Sequence, residues 1–396
     1  MVSSLILYVV NSLSTLIIFK ILTANNTVDV FSSYVVIISF AGLIYGLPFT
    51  PIQQFMLREI SKSTAPFLVL NYILKFFGFA FLIVSSILYL LNPLWDRFVD
   101  IELMYLLPFI FTEVLKIYIY SFLNIINKKI LLTCVLLIEF SIKFMLLNRA
   151  AENATDIVSS ITAANIIYVM IYISVIIKSS HRVSSLKIGS SMITYCWPLT
   201  LWSIFSWMRD VGSRIFLDQT LSSYELAGYS VMMTIAVIVP SFVNSFFSIH
   251  FIPVLYKVES HTKGSMAIFF KNHILKYSLF TLFSTLVVFI SSKLVIQLLS
   301  TDHYAEFADY LAPMYMSMML YIGATLTNNI LLYYGANTIL LIFNVLFGVV
   351  SACGFMVVPK FFGLEGAFIT YISLNIASAF GFLLISLLYA KKNSML

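Results

Sequence analysis

Long apolar runs alternate with short polar breaks along almost the whole chain. A bilayer core of roughly 30 Å is crossed by about 20 apolar residues in a helix. That ruler marks twelve spans, at 2–21, 31–47, 67–91, 103–123, 131–147, 157–177, 192–216, 226–254, 277–299, 310–334, 338–358 and 367–390. They are too long and too evenly apolar for barrel strands, which alternate over about ten residues. The first has no basic stretch before it and no small-residue cleavage site after it, so it reads as a retained helix. Pro108, Pro198, Pro240 and Pro313 fall inside spans and predict kinks there. The expected fold class is an all-α polytopic membrane protein with twelve transmembrane helices in two six-helix bundles.

A weak internal repeat supports the two sets of six. Ile18-Phe19, Tyr34 to Ser39 and Phe55 recur as Ile215-Phe216, Tyr229 to Thr234 and Phe251, at an offset of about 195 residues. The expected division is residues 1–180 for the first bundle, 181–190 for a cytoplasmic linker and 191–396 for the second bundle.

Composition sharpens the membrane reading. Of 396 residues, 61% are hydrophobic and only 10% charged, against roughly 45–50% and about 25% in soluble proteins. A soluble enzyme, a nucleic-acid binder and a secreted scaffold are thereby excluded. The net charge of +6 comes from basic residues in short runs between spans. Even-numbered loops and the C-terminal tail hold thirteen Lys and Arg, whereas odd-numbered loops hold five: Lys20, Arg97, Arg149, Lys293 and Lys360. The positive-inside rule then places both termini in the cytoplasm. No loop is long enough for a soluble domain. Cys134, Cys196 and Cys353 all fall within spans, without metal-ligand spacing, and read as small buried hydrophobes. Neither a metal nor a cofactor is expected.

Eight charges lie inside the spans: Lys75, Glu113, Lys116, Glu139, Lys143, Arg209, Asp210 and Arg214. Each costs about 2.5–3.5 kcal/mol at mid-membrane unless paired or solvated. Helical spacing predicts pairs between Glu113 and Lys116, Glu139 and Lys143, and Asp210 and Arg214. Structural pairing between helices accounts for part of the set. The positive excess on spans three, four, five and seven points to a cationic cavity suited to an anionic substrate, with Arg shaped for phosphate oxygens. Trp197, Trp202 and Trp207 share span seven with Arg209 and read as lipid-packing or sugar-stacking rings.

Short motifs carry a family resemblance: Lys20-Ile21-Leu22, Tyr45-Gly46-Leu47, Arg58-Glu59, the segment from Arg214 to Tyr229, and Gly363-Leu364-Glu365-Gly366-Ala367. With the twelve-span pattern they resemble O-antigen and polysaccharide flippases of the Wzx type, in the multidrug/oligosaccharidyl-lipid/polysaccharide exporter superfamily. That resemblance implies a MATE-like fold and alternating access by two bundles. The implied substrate is an undecaprenyl-pyrophosphate-linked oligosaccharide moved from the cytoplasmic to the periplasmic leaflet, with ion or proton coupling. It implies Arg209, Arg214, Lys116, Lys143 and Lys75 as substrate-side cations, and Asp210, Glu113 and Glu139 as coupling groups. Implied partners are the lipid-linked glycan, membrane lipids and polymerase or chain-length machinery, at a bacterial inner membrane. The chain departs from the family in entering its first span without a basic leader. Two alternatives remain at this point: a multidrug or cation exporter of the same fold, and a membrane-embedded polymerase or acyltransferase.

Overall fold

The computed structural model describes residues 2–62, 66–91, 101–178, 189–257, 265–333 and 337–392. Those residues form helices and turns, with no strand among them. Helices Val2–Asn25, Val28–Gly46, Pro66–Leu90, Leu103–Ile125, Lys129–Leu147 and Ala154–Lys178 carry spans one to six. Gly189–Asp210, Ser223–Lys257, Ser265–Leu299 and Ala308–Tyr333 carry spans seven to ten. The single element Asn337–Lys392 carries spans eleven and twelve. Among the described residues, eight helices are long and apolar enough to cross a membrane, and one of them, Thr338–Tyr389, has 52 residues. At about 1.5 Å per residue that length suffices for two crossings.

The helices break at places other than the expected prolines. They continue through Pro108, Pro198 and Pro313. One break falls at Leu47-Pro48, where a further helix, Phe49–Lys62, begins. Its buried Phe49, Ile52, Phe55, Met56 and Ile60 lie on one side, with polar residues between them, so it reads poorly as a span yet folds against its neighbours. A second break, at Val211-Gly212, ends Gly189–Asp210 and starts the short helix Ser213–Asp218. The third is Gly363, at φ 54° and ψ −139°, which divides spans eleven and twelve. This backbone region is open essentially to glycine alone. It belongs to the Gly-x-x-Gly-Ala turn recognised in the sequence.

The repeat has a structural counterpart. Residues 28–62 form the broken pair of helices, and Ser223–Lys257 covers the corresponding stretch as one helix. Both ends are offset by the same amount, since 223 − 28 and 257 − 62 each equal 195.

The chain forms two compact units, Met1–Asp218 and Gln219–Leu396. Span seven therefore clusters with the first six spans, packing on Phe49–Lys62 and Val28–Gly46. Residues 181–188 of the expected linker lie outside the described residues. In the first unit, Leu103–Ile125 packs on Ala154–Lys178, and Lys129–Leu147 packs on Val2–Asn25 and Ala154–Lys178. Phe77 centres an aromatic group with Phe49, Phe111 and Tyr118, at ring separations of 5.2, 5.4 and 5.5 Å. Tyr118 donates its hydroxyl to the Phe49 carbonyl at 2.8 Å, beside the first break. In the second unit, Ala308–Tyr333 packs on Ser223–Lys257, Ser265–Leu299 and Asn337–Lys392.

Large apolar side chains are exposed along spans three and nine, among them Phe79, Leu82, Phe283 and Ile290. Such a surface suits lipid rather than water. Cys134 and Cys353 join it, which corrects their reading as buried hydrophobes; only Cys196 is half-buried. Apolar side chains are stable on either side of a membrane helix, so composition did not discriminate.

Span ten approaches its neighbour closely at Gly323. A Cβ there would run into the Tyr277 ring, whose hydroxyl donates to the Met319 carbonyl at 2.7 Å. Gly323→Leu is expected to lower stability by about 1–3 kcal/mol through overpacking. Thermal unfolding in detergent checks this, with Gly46→Ala, where nothing lies close to an added Cβ, as the mild comparison.

Candidate functional site

The Leu103–Ile125 and Lys129–Leu147 helices are joined by a tight turn that sets their charges opposite each other. Asn127 takes the left-handed conformation at φ 58°. The Lys128 amide bonds to the Leu123 carbonyl at 2.9 Å, and the Asn127 amide to the Asn124 carbonyl at 3.1 Å. This is a Schellman ending with asparagine in the position glycine usually takes. The two helices therefore return antiparallel, and the mid-helix residues of span four meet those of span five.

At that meeting point Glu139 is 3% exposed. One carboxylate oxygen, Oε1, accepts from both Lys116 Nζ and Lys143 Nζ, each at 2.6 Å. The other, Oε2, accepts from the Tyr168 hydroxyl at 2.6 Å. Spans four, five and six thus converge on one carboxylate. Glu113 lies one turn from Lys116 and accepts from Asn165 Nδ2 of span six at 2.7 Å. The four charged side chains sum to zero, so the group satisfies in apolar surroundings what each charge alone would not.

Around this group stand two tyrosines and an arginine. Tyr34 and Tyr45 of span two lie within electrostatic range of both Glu113 and Arg214. Arg214, 8% exposed, sits on the short helix beyond the Val211-Gly212 break. Arg209, 6% exposed, precedes the break and forks onto its neighbour Asp210, with Nε–Oδ1 at 2.7 Å and Nη2–Oδ2 at 3.0 Å. The Asp210 side chain is 41% exposed.

Of the three expected pairs, the one between Glu139 and Lys143 is present. Lys116 turns to Glu139 on the next helix, and Glu113 turns to Asn165. Asp210 bonds the adjacent Arg209, and the helix breaks between Asp210 and Arg214. Lys75 is exposed. Among the described residues, no group of three or more His, Cys, Asp or Glu could hold a metal.

Sequence reasoning gave Asn165, Tyr168, Tyr34 and Tyr45 no part in the site, although Tyr34 figured in the repeat and Tyr45 in a resemblance motif. The signal available was a polar atom at mid-helix depth on spans two and six. Trp207 has a different part from the lipid-packing or sugar-stacking one expected. Its Nε1 donates to the Ser39 carbonyl at 2.7 Å, and its own carbonyl accepts from Gly212 N at 2.7 Å. A Cβ on Gly212 would touch the indole at 3.0 Å. Trp207 thus fastens the span-seven break to span two.

No protein-family model and no curated protein matches the sequence. Solved structures do match in fold. An inward-facing multidrug-resistance MATE family transporter of the MOP superfamily aligns at a TM-score of 0.65 and 11% identity, covering 98% of this chain and 94% of that one. The lipid II flippase MurJ, in an inward closed conformation, aligns at 0.66 and 12% identity, covering 98% and 86%. A Vibrio cholerae MATE transporter aligns at 0.56 and 14% identity, covering 98% and 96%.

Removing the shared counterion should cost far more than removing one hydrogen bond. Glu139→Gln is expected to lower stability by about 3–5 kcal/mol, since two buried ammonium groups lose their partner. Tyr168→Phe is expected to cost about 1–3 kcal/mol. Unfolding of both variants in the same detergent ranks them, and equal losses would contradict the arrangement. Across nearly its full length the chain has the all-helical fold seen in the MATE transporters and in MurJ.

Proposed function

We propose that the chain is a flippase carrying an undecaprenyl-pyrophosphate-linked oligosaccharide, an O-antigen or similar repeat unit, from the cytoplasmic to the periplasmic leaflet. It works in a bacterial inner membrane with both termini cytoplasmic, among membrane lipids and alongside polymerase or chain-length machinery. Twelve helices, spans one to six and seven to twelve, supply the moving parts. The shared fold with a lipid II flippase supports a lipid-linked substrate.

The carrying observation is the placement of Arg209 and Arg214. Both are buried on either side of a helix break, with Tyr34 and Tyr45 near Arg214. Guanidinium forks and phenol hydroxyls suit the oxygens of a pyrophosphate. Lys116 and Lys143 are engaged with Glu139 and act by holding the fold of the site. Lys75, exposed on span three, remains able to meet an anionic substrate. Coupling falls to the carboxylates Asp210, Glu113 and Glu139.

A multidrug or cation exporter is the second reading. The half-exposed Asp210 carboxylate and the fold shared with a multidrug transporter favour it. Growth of a deletion strain on a panel of cationic drugs separates the readings: the flippase account expects unchanged sensitivity and altered surface polysaccharide.

Arg209→Ala and Arg214→Ala are each expected to reduce surface polysaccharide at least about tenfold, the loss of one charge-assisted contact of roughly 1.5–3 kcal/mol, while protein level in the membrane stays normal. Polysaccharide profiles and immunoblots from the same cells check this. Normal polysaccharide in both variants removes the site assignment.

A further inference from the structure

Span three turns a cation toward lipid. In the helix Pro66–Leu90, the exposed residues Lys75, Phe79, Leu82, Ser86 and Leu90 recur every three or four positions and so form one stripe. Leu70, Ile73, Leu74 and Phe77 belong to the buried side. Lys75 stands nine residues from Pro66 and fifteen from Leu90, about 14 Å and about 22 Å along the axis at roughly 1.5 Å per residue. An ammonium at that depth on a lipid-facing stripe is costly unless it reaches an anion or water.

Two neighbours on the helix define what would satisfy it. A side chain leans toward the N-terminal end of its helix, which brings the ammonium toward Tyr72, half-buried one turn earlier. Ammonium and phenol both donate, and phosphate oxygens accept from both. On the other side of Lys75 lies Gly78, where an added Cβ would meet nothing within 4 Å. Its bare backbone leaves a notch between Lys75 and Leu82, the neighbours at i−3 and i+4. The stripe thus runs from a phosphate-seeking end near the membrane surface to an apolar notch nearer the midplane, the order of headgroup and chain in a lipid. A partner helix fits this face less well. Close helix packing uses small residues spaced four apart, and the positions four from Gly78 are Leu74 and Leu82.

We propose that this face of span three seats one anionic phospholipid of the leaflet nearer Pro66, with its phosphate on Lys75 and Tyr72 and an acyl chain in the notch at Gly78. A notch one residue wide suits an unbranched acyl chain better than a methyl-branched polyprenyl chain, which separates this lipid from a lipid-linked substrate. The seat lies on the lipid side of the first unit and does not depend on the flippase reading. Its consequence for transport is competitive: a lipid-linked pyrophosphate meets Lys75 only by displacing the phospholipid.

The test uses the purified full chain in detergent, offered phosphatidylglycerol or phosphatidylcholine with identical acyl chains, and counts retained lipid by native mass spectrometry. The wild type is expected to favour phosphatidylglycerol by about fivefold, the ratio given by about 1 kcal/mol per lysine at an anionic lipid. Lys75→Arg keeps the preference and Lys75→Gln abolishes it. Gly78→Leu, whose side chain enters open space, is expected to unfold at the wild-type temperature yet retain less of both lipids. An unchanged preference in Lys75→Gln overturns the seat and leaves Lys75 snorkelling to the interface. Unchanged retention in Gly78→Leu overturns the notch. Displacement of phosphatidylglycerol by equimolar undecaprenyl phosphate, in the wild type but not in Lys75→Gln, overturns the assignment to a phospholipid. Because no leaflet exchange is measured, failure here is distinct from failure of the flippase reading.

Discussion

A carboxylate buried between helices, holding two ammonium groups and a phenol, is the constraint from which the rest of the first unit follows. Glu139 could not remain ionised in apolar surroundings by itself, and neither lysine could remain charged without it. Their mutual satisfaction fixes the rotation of spans four, five and six about their own axes. The Asn127 turn then fixes how far span five returns along span four. With those helices locked, Glu113 is held toward Asn165, and Tyr34 and Tyr45 lie within electrostatic reach of both Glu113 and Arg214. Charge is used here to define geometry as much as to bind anything.

Against that locked group stands a segment built to be irregular. Span seven stops at Asp210 and resumes at Ser213, so its two arginines sit on two separate helical pieces. Trp207 pins the break to span two through Ser39, and its ring covers Gly212. The break places Arg214 on the short helix Ser213–Asp218, within electrostatic reach of Tyr34 and Tyr45. The irregularity thus sets a buried cation beside two phenols.

Much of the fold was legible because lipid imposes a length on every crossing. The expected spans fall on helical segments wherever the residues are described, although span seven is split in two and spans eleven and twelve share one element. The 195-residue offset seen in the sequence reappears at both helix ends. What escaped had physical reasons. Phe49–Lys62 is amphipathic and short, so a search for uniformly apolar runs passes over it. Two of the three helix breaks fell at Gly212 and Gly363, where tight packing or a positive φ demands glycine, and the helices continue through Pro108, Pro198 and Pro313. Of the site, the charged residues were visible through their cost alone. Their partners were not: Lys116 chose Glu139 on another helix over Glu113 on its own, and Asn165 and Tyr168 are ordinary polar residues until a third helix brings a carboxylate to them.

The account joins a neutral charge group to a pair of arginines beside a helix break, within one unit of the fold. Its central claim is that this arrangement moves a lipid-linked anion across the bilayer. The most direct measurement is leaflet exchange of a fluorescent polyprenyl-pyrophosphate oligosaccharide in proteoliposomes containing the purified chain. The account predicts exchange well above that of protein-free vesicles, accelerated by a pH gradient and lost in Arg214→Ala. Exchange equal to that of empty vesicles, or unaffected by Arg214→Ala, would contradict it.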